Sequence, residues 1–426
     1  MPVFYRSTRG GDGRTFEEAL LQGLAPDGGL FVPSEVPRPD FDHAFEAADF
    51  AEMGRRVLST WVGDEIGRDA LSRITTDALN FPVPLIPLEA PKWDGVHVLE
   101  LFHGPTLSFK DFGARTMARW MGHFLDRRDE DVTILVATSG DTGSAVADGF
   151  AGQDRIDVVL LYPKGKVSPV QERQLIVARP GVRALAVEGD FDDCQRMVKE
   201  AFMAPDLADA GLSSANSINI GRLLPQMLYY AWAVKHLGDV PLTCCVPSGN
   251  LGNLTAGVLA YLSGLPVSGF LAAHNANDFF PRVLSGEEVE FGVTVRTLSN
   301  AMDVGAPSNF ERLDALLSRQ RMRTLIAGES VTDDETIASM QRVYDETGYV
   351  ADPHTAVGLE AVRRRPVSRP VVVLSTAHPS KFPETVERAL GIEPESPDRL
   401  SALWDRDVAV ETVPATLDAL REHLPQ

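Results

Sequence analysis

The sequence predicts an α/β protein with two open, largely parallel twisted sheets flanked by helices, preceded by a mainly helical N-terminal domain. From about residue 90 onward, short β-rich runs alternate with helical stretches, and this order is typical of parallel strands joined by crossover helices. Several of these runs are almost continuously apolar, which indicates strands covered by helices on both faces. The first part of the chain instead carries apolar residues at helical spacing.

A chain of 426 residues is too long for one ordinary core, because domains commonly contain ~100–200 residues. We expect an N-terminal domain at residues 1–90, a large α/β domain built from residues 91–130 and 220–426, and a small α/β domain at residues 131–219. Three prolines between residues 81 and 87 favour a linker or a sheet edge there over a central strand.

Individual elements follow from the apolar patterns and the turn residues between them. The predicted strands are residues 96–101, 132–137, 158–162, 182–187, 242–246, 269–273 and 371–376. The predicted helices are residues 16–24, 45–62, 65–79, 113–127, 143–150, 191–202, 222–236 and 254–263. Ligands of parallel sheets bind beyond the carboxyl ends of the strands, so the chemistry is expected in the loops that follow them.

Composition excludes several classes of function. The net charge is −20, which repels nucleic acid and anionic lipid, so we expect neither as a partner. The three cysteines lack the spacing of a disulfide framework or a zinc site, and we expect them to be reduced and the protein to hold no metal. Neither a secretory signal nor a run of ~20 apolar residues is visible. We therefore expect a cytoplasmic protein, either a monomer or a weak homo-oligomer.

Three loops follow strands and carry small, hydroxylated or glycine residues, at positions 138–143, 247–253 and 375–378. Glycine lets backbone N–H groups approach an anion, and the following helix adds its dipole. Tight turns with helix caps are the alternative, but two glycine-rich loops in one chain favour phosphate binding. The P-loop and GxGxxG patterns are absent from these loops, which indicates a phosphorylated ligand other than ATP or NAD.

Two further segments carry candidate functional groups. Lys110 lies between Phe109 and Phe112, where desolvation would lower the pKa of its amine and allow it to form a Schiff base. A lysine with its stem on phenylalanine and its tip in solvent is the alternative. Residues 213–222 supply hydroxyls, amides and Arg222, a set suited to a phosphate. The alternative there is a helix cap with Arg222 paired to a carboxylate.

Together these segments resemble the threonine synthases, a family of pyridoxal-phosphate (PLP) enzymes of fold type II. The resemblance covers nearly the whole chain and rests on residues 5–9, 26–33, 102–113, 137–143, 162–168, 214–222, 246–253, 298–303 and 374–382. It suits the microbial and fungal branch with a long N-terminal domain, and not the plant type activated by S-adenosylmethionine. It implies conversion of O-phosphohomoserine to threonine, with a small domain that moves onto the larger one.

The resemblance also implies roles for particular residues. Lys110 would be linked to PLP, and Thr376 would face the pyridine nitrogen. The phosphate of PLP would be held by Ser248, Gly249, Asn250, Leu251, Gly252 and Asn253. The substrate carboxylate or the ring hydroxyl would meet Ser139, Asp141 and Thr142. The substrate phosphate would be held by Asn216, Ser217 and Arg222.

One departure from the family pattern concerns the cofactor loop, where Phe-Gly-Asp is expected and Leu251-Gly-Asn253 stands. Backbone contacts should survive this change, whereas a contact made by an aspartate side chain is not carried over to Asn253. Another fold type II lyase, such as a dehydratase or phospho-lyase, is the main alternative function. A non-catalytic binding relative and a sugar- or nucleotide-phosphate binder are further alternatives.

Several histidines and aspartates lie outside these motifs. The histidines at 103, 274, 354 and 378 lack metal spacing and are interpreted as structural. The sequence does not place Asp303 or Asp352.

Overall fold

The computed structural model describes residues 2–138, 140–207, 210–238 and 240–424. Its strands are β1 (Tyr5–Ser7), β2 (Gly10–Arg14), β3 (Phe31–Pro33), β4 (Leu85–Pro87), β5 (Val96–Glu100), β6 (Val132–Ala137), β7 (Ile156–Pro163), β8 (Val182–Glu188), β9 (Leu212–Ser213), β10 (Leu242–Pro247), β11 (Val267–His274), β12 (Ile326–Ser330), β13 (Val371–Ser375) and β14 (Val410–Pro414). Every strand predicted from the sequence is present, with ends shifted by a few residues.

The helices surround these strands. They are α1 (Phe16–Gln22), α2 (Phe41–Phe45), α3 (Phe50–Val62), α4 (Arg68–Ala78), α5 (Lys110–Arg128), α6 (Asp141–Phe150), α7 (Pro169–Ile176), α8 (Phe191–Met203), α9 (Ile220–Leu223), α10 (Met227–Leu237), α11 (Gly252–Leu262), α12 (Phe279–Ser285), α13 (Asn309–Leu316), α14 (Arg319–Leu325), α15 (Asp333–Thr347), α16 (Pro353–Arg364), α17 (Pro383–Leu390), α18 (Asp398–Ser401) and α19 (Leu417–Arg421). None of the helices in the described ranges is long and apolar enough to cross a membrane.

The first large sheet has the strand order β12-β11-β10-β13-β5-β4. Its strands pair in parallel except for β4, which pairs antiparallel with β5 at the edge. The proline-rich segment 81–87 thus ends in an edge strand, as predicted. The interior strands β10 and β13 are buried along their whole length, which explains their continuous apolar sequence.

The second large sheet is parallel and has the order β14-β8-β7-β6-β9. Its edge strand β14 comes from the C-terminal segment, which we had assigned to the large domain with the rest of residues 220–426. That boundary was wrong for this strand, since β14 pairs with β8 along its length. Val413, Leu420 and Leu424 bury their side chains in the same cluster as Leu185, so apolar burial holds the segment there.

The N-terminal part of the chain contains a small antiparallel sheet of order β2-β1-β3, which the helical interpretation missed. These strands are short, and Gly10–Arg14 has no apolar side chain, so they leave little period-2 signal. The helices predicted around them are present. Phe16 of α1 packs edge-on against Trp120 of α5, with the ring centroids 5.0 Å apart. This contact joins the N-terminal segment to α5.

Two predicted helices are interrupted. The predicted helix at residues 45–62 is interrupted between Phe45, which ends α2, and Phe50, which begins α3, because Asp49 caps α3, accepting a hydrogen bond from the Glu52 N–H. The predicted helix at residues 222–236 divides into α9 and α10 around a tighter turn that contains Pro225. Proline lacks the N–H needed to continue an α-helix, which explains why the helix is interrupted at Pro225.

Leu420→Ala should lower the free energy of unfolding by ~2–5 kcal/mol, because Leu420 is completely buried against the second sheet. Denaturant unfolding measures the loss, and the reactivity of the Cys194 thiol in the same cluster should rise. Val410→Ala is the control, since Val410 is 44% exposed and should change stability by less than ~0.5 kcal/mol. Equal stability of the two variants would contradict this assignment of the C-terminal segment.

Candidate active site

A cavity of about 870 Å³ lies beyond the carboxyl ends of strands from both large sheets. The loops after β6, β10 and β13 all reach it. The predicted site residues that line it are Lys110, Asp141, Thr142, Asn216, Ser217, Arg222, Ser248, Gly249, Asn250, Leu251, Gly252, Asn253 and Thr376. Ser139 lies outside the described residues. The sheets therefore bring the predicted groups together, as the position of the loops indicated.

Lys110 is the first residue of α5, and the loop before it is fixed to the end of β13. The Phe109 N–H donates to the Thr376 carbonyl at 2.9 Å, and the His378 N–H donates to the Leu107 carbonyl at 3.1 Å. Leu107 has a φ of 59°, a left-handed conformation that costs a bulky residue ~1–2 kcal/mol. This strained turn delivers Lys110 into the cavity.

The charges beside Lys110 make its amine a usable nucleophile. Its Nζ lies 3.8 Å from Asp141 Oδ2, with 14% of the lysine side chain exposed. Burial lowers the pKa of Lys110 to about 8, the Asp141 carboxylate opposes this change, and Lys381 and Arg222 add to it. Burial would raise the pKa of Asp141, but the ammonium groups of Lys381 and Lys110 outweigh it and hold that pKa below its ordinary value.

The loop 248–253 presents the N-terminus of α11 to the cavity. Leu251 adopts a left-handed conformation with a φ of 60°, and within the described residues no side chain caps this helix. Its first N–H groups and its dipole are therefore available to an anion. Gly249 is required by close approach, since a Cβ there would lie 2.7 Å from the Cα of Met302.

Asn253, where the family pattern predicts aspartate, makes contacts through its oxygen. Asn253 Oδ1 accepts hydrogen bonds from the hydroxyls of Tyr229 at 2.6 Å and Tyr230 at 2.7 Å. An aspartate could accept the same two bonds, so asparagine keeps this anchoring contact. Asn253 Nδ2 is buried and has no partner among the described residues, which leaves a donor that a bound anion could satisfy.

A second group of donors lies on α9 and on the segment before it. Arg222 is 2% exposed, its Nη1 donates to the Ala215 carbonyl, and its buried Nε lacks a partner in the described part of the chain. Ser217 Oγ accepts a hydrogen bond of 2.7 Å from Asn250 Nδ2. The segment before α9 and the loop that precedes α11 are thereby joined, because Asn250 belongs to that loop.

Comparisons with known proteins agree with this geometry. The family model described as pyridoxal-phosphate dependent enzyme matches residues 78–377. The models for the threonine synthase N terminus and the threonine synthase C-terminal region match residues 4–79 and 355–424. The chain belongs to the threonine synthase family. It is therefore a PLP-dependent enzyme of fold type II.

Individual relatives support the same assignment over the whole chain. The threonine synthases of Serratia marcescens and Escherichia coli K12 are each 43% identical to it, and each alignment covers 96% of both chains. The crystal structure of the PLP-bound threonine synthase from Brucella melitensis superposes with a TM-score of 0.93 at 37% identity. That superposition covers 99% of this chain and 98% of the other.

The residues of the cavity fit the cofactor that this family requires. PLP needs an amine for its aldehyde and donors for its phosphate. The cavity offers the low-pKa amine of Lys110 and the uncapped helix at Gly252. The free amide donor of Asn253 lies at the start of the same helix.

Several residues that contact the cavity-lining segments escaped prediction from the sequence. Lys381 and Gln171 both contact Asp141 from segments distant in the chain. Arg312 is fully buried and donates to the carbonyls of Ser217 and Ile218. The signal for Lys381 was its place in the segment 374–382, which carried the family resemblance without assigning the lysine a role.

The structure also places residues that the sequence left open. His354 and Asp303 line the cavity. His354 Nδ1 lies 2.7 Å from the buried Asp352 carboxylate, and its Nε2 accepts from the Ala301 N–H at 3.2 Å. Both ring nitrogens are thus engaged, in agreement with a structural histidine. Burial raises the pKa of Asp303 to about 6, while hydrogen bonds from Thr297 oppose the change.

Gly249→Ala should weaken PLP binding by at least about tenfold, which corresponds to ~1.4 kcal/mol. The added Cβ would meet the backbone of Met302 and displace the loop before α11. Titration of the apoprotein with PLP, followed by visible absorbance, measures the dissociation constant. Gly292→Ala is the matched control in the same cavity, because a Cβ there has nothing within 4 Å. Equal affinity of both variants would refute this role of the close approach.

Proposed function

We propose that the enzyme converts O-phospho-L-homoserine and water into L-threonine and inorganic phosphate. The observation that carries this proposal is a second set of phosphate donors, on Asn216, Ser217 and Arg222, in the cavity that also contains the helix N-terminus at Gly252. One phosphate belongs to the cofactor. A second phosphate site is needed only if the substrate is phosphorylated too.

We propose the following cofactor contacts. Lys110 holds PLP through its amine, and the backbone N–H groups of residues 248–253 bind its phosphate. The Thr376 hydroxyl faces the pyridine nitrogen and, being neutral, leaves that nitrogen largely unprotonated. When bound, PLP supplies an electron sink for negative charge on the substrate carbon beside the amino group.

The chain's own groups then bind, orient and move protons. Thr142 and Ser139 are assigned to the substrate carboxylate or to the cofactor ring hydroxyl, and Asp141 to the ring hydroxyl alone, since its ionised side chain repels a carboxylate. Lys110 is the base at Cα, since a pKa of about 8 leaves a useful fraction of neutral amine near pH 7 to 8. Arg222 stabilises the charge that develops on the phosphate as its bond to carbon breaks.

The overall reaction balances without a further reactant. The Cγ–O bond breaks and its electron pair leaves with phosphate, the oxygen of water forms a new bond to Cβ, and Cγ gains the proton that Cβ gives up. Water must be kept from the reacting carbons until phosphate has left. We propose that residues 131–219, together with β14, form a small domain that closes over the cavity when substrate binds.

A dehydratase or another phospho-lyase of the same fold is the alternative function. A dehydratase acts on an unphosphorylated amino acid and has no use for Arg222 and its neighbours as a second phosphate site.

We also propose a cytoplasmic location, no nucleic-acid or membrane partner, and a monomer or weak homo-oligomer. The net charge of −20 and the three free, buried cysteines support these assignments.

The protein incubated with PLP and O-phosphohomoserine should release threonine and phosphate in equal amounts, and Lys110→Ala should abolish both products. Amino-acid analysis and a phosphate assay on the same samples provide the measurement. Phosphate accompanied by a keto acid instead of threonine would favour the phospho-lyase. Failure to produce either product, in protein that shows the visible absorbance of bound PLP, would exclude the proposed substrate.

Arg222→Lys should raise the KM for O-phosphohomoserine by at least about tenfold, because a lysine cannot bind a phosphate through a planar, two-pronged donor. The affinity for PLP should stay the same, since Arg222 is assigned to the substrate. Steady-state kinetics and PLP titration separate these effects. Arg127→Lys on the exposed end of α5 is the control, and a loss of PLP affinity in Arg222→Lys would reassign Arg222 to the cofactor.

A further inference from the structure

Lys381 is a buried cation that contacts Asp141, a residue of the cavity lining. It ends the turn Pro379–Lys381 that follows β13, and its side chain is completely buried. Its Nζ lies 2.7 Å from Asp141 Oδ1 and donates to the Thr106 carbonyl at 3.1 Å. A fully buried ammonium is costly unless it is paired in this way.

The carboxylate of Asp141 is shared unequally between two lysines. Its Oδ1 accepts from Lys381 at 2.7 Å and from Gln171 Nε2 at 3.1 Å. Its Oδ2 is 3.8 Å from Lys110 Nζ, which is too far for a hydrogen bond. The Asp141 carboxylate therefore forms its hydrogen-bonded ion pair with Lys381. It interacts with Lys110 through charge alone, without a hydrogen bond.

We propose that Lys381 is a positioning residue, which holds the Asp141 carboxylate away from Lys110 and so keeps the Lys110 amine free to react with the cofactor. The proposal rests on the role assigned to Lys110 under the proposed function. Without the Lys381 ammonium, the buried carboxylate would need another cation. Protonated Lys110 would be that cation, because its Nζ already lies 3.8 Å from Asp141 Oδ2.

The surrounding charges support this arrangement. Lys110 faces Asp141, Lys381 and Arg222, and His354 also faces Asp141. Asp111, which accepts from Thr106, faces Lys381. Removing the Lys381 charge takes one positive group away from Lys110 and leaves Asp141 unpaired, and both changes favour the protonated form of Lys110. The pKa of Lys110 should therefore rise when Lys381 loses its charge.

A purely structural role predicts a different result. Lys381 also ties the loop of Thr106 to the start of α6, so its loss could simply loosen the site. Loosening would admit water and weaken cofactor affinity at every pH. Water would also raise the pKa of Lys110, because burial is what lowers it most, so the direction of the shift does not separate the two roles. Adding Asp141→Asn separates them: relative to Asp141→Asn alone, Lys381→Met should then move the midpoint much less if the Asp141 charge causes the rise, and just as far if hydration does.

The test follows the amine of Lys110 across pH 6 to 10 with Lys381→Met and with Lys381→Gln, which keeps a donor for Thr106. In apoprotein, labelling of Lys110 by an amine-reactive reagent, quantified by mass spectrometry, gives the midpoint of its titration. Formation of the Lys110–PLP linkage, followed by its visible absorbance, gives a second midpoint. Both midpoints should rise by at least about one pH unit, which slows linkage about tenfold below the midpoint.

Controls separate the possible outcomes. Lys381→Arg keeps the charge and should stay close to wild type, and Asp141→Asn should lower the midpoint. Lys92→Met removes an exposed lysine and should change nothing. Unchanged midpoints in folded Lys381→Met and Lys381→Gln, or a shift equal to theirs in Lys381→Arg, would overturn the proposal. If wild-type protein forms no linkage with PLP, the role of Lys110 fails instead, while the labelling midpoints still measure the effect of Lys381.

Discussion

One buried carboxylate connects the two large sheets at the site. Asp141 begins α6 after the second sheet's β6, whereas Lys110 and Lys381 lie in the loops after β5 and β13, which are neighbouring strands of the first sheet. A carboxylate removed from water needs cations and hydrogen-bond donors around it. The three side chains can satisfy one another only if the carboxyl ends of the two sheets face each other, so this cluster constrains how the sheets are arranged.

The N-terminal segment contributes to the same site without lining most of it. Asn219 Nδ2 donates to the Leu20 carbonyl of α1 at 2.8 Å, and Arg312 Nε donates to the Phe31 carbonyl at 2.9 Å. Arg312 also donates to the backbone of residues 217 and 218. The N-terminal segment thus supports, from behind, the segment that carries Ser217 and Arg222.

The predictability of the structure depended on whether the determining contacts are local. Strands such as β10 and β13 were predicted because burial on both faces requires an apolar run. Lys110 was recognised because it lies between two phenylalanines. Strand β14 was not predicted, since it is an edge strand with only Val413 buried. The role of Lys381 was not predicted for a different reason. It comes from the ion pair with Asp141, and although Lys381 lies in a segment that carried the family resemblance, a contact between segments so far apart leaves no local pattern in a single sequence.

The strongly negative chain nevertheless places buried cations in and beside its cavity, because net charge and local charge act over different distances. Exposed carboxylates are screened within ~8–10 Å at physiological salt, whereas buried Arg222, Arg312 and Lys381 are screened far less. A phosphate bound by such fixed donors exchanges its water for groups that need no reorganisation. That exchange helps catalysis only if the phosphate gains charge during the reaction. In the reaction proposed above, breaking of the Cγ–O bond meets this condition, because the electron pair departs with the phosphate toward Arg222, the proposed phosphate donor.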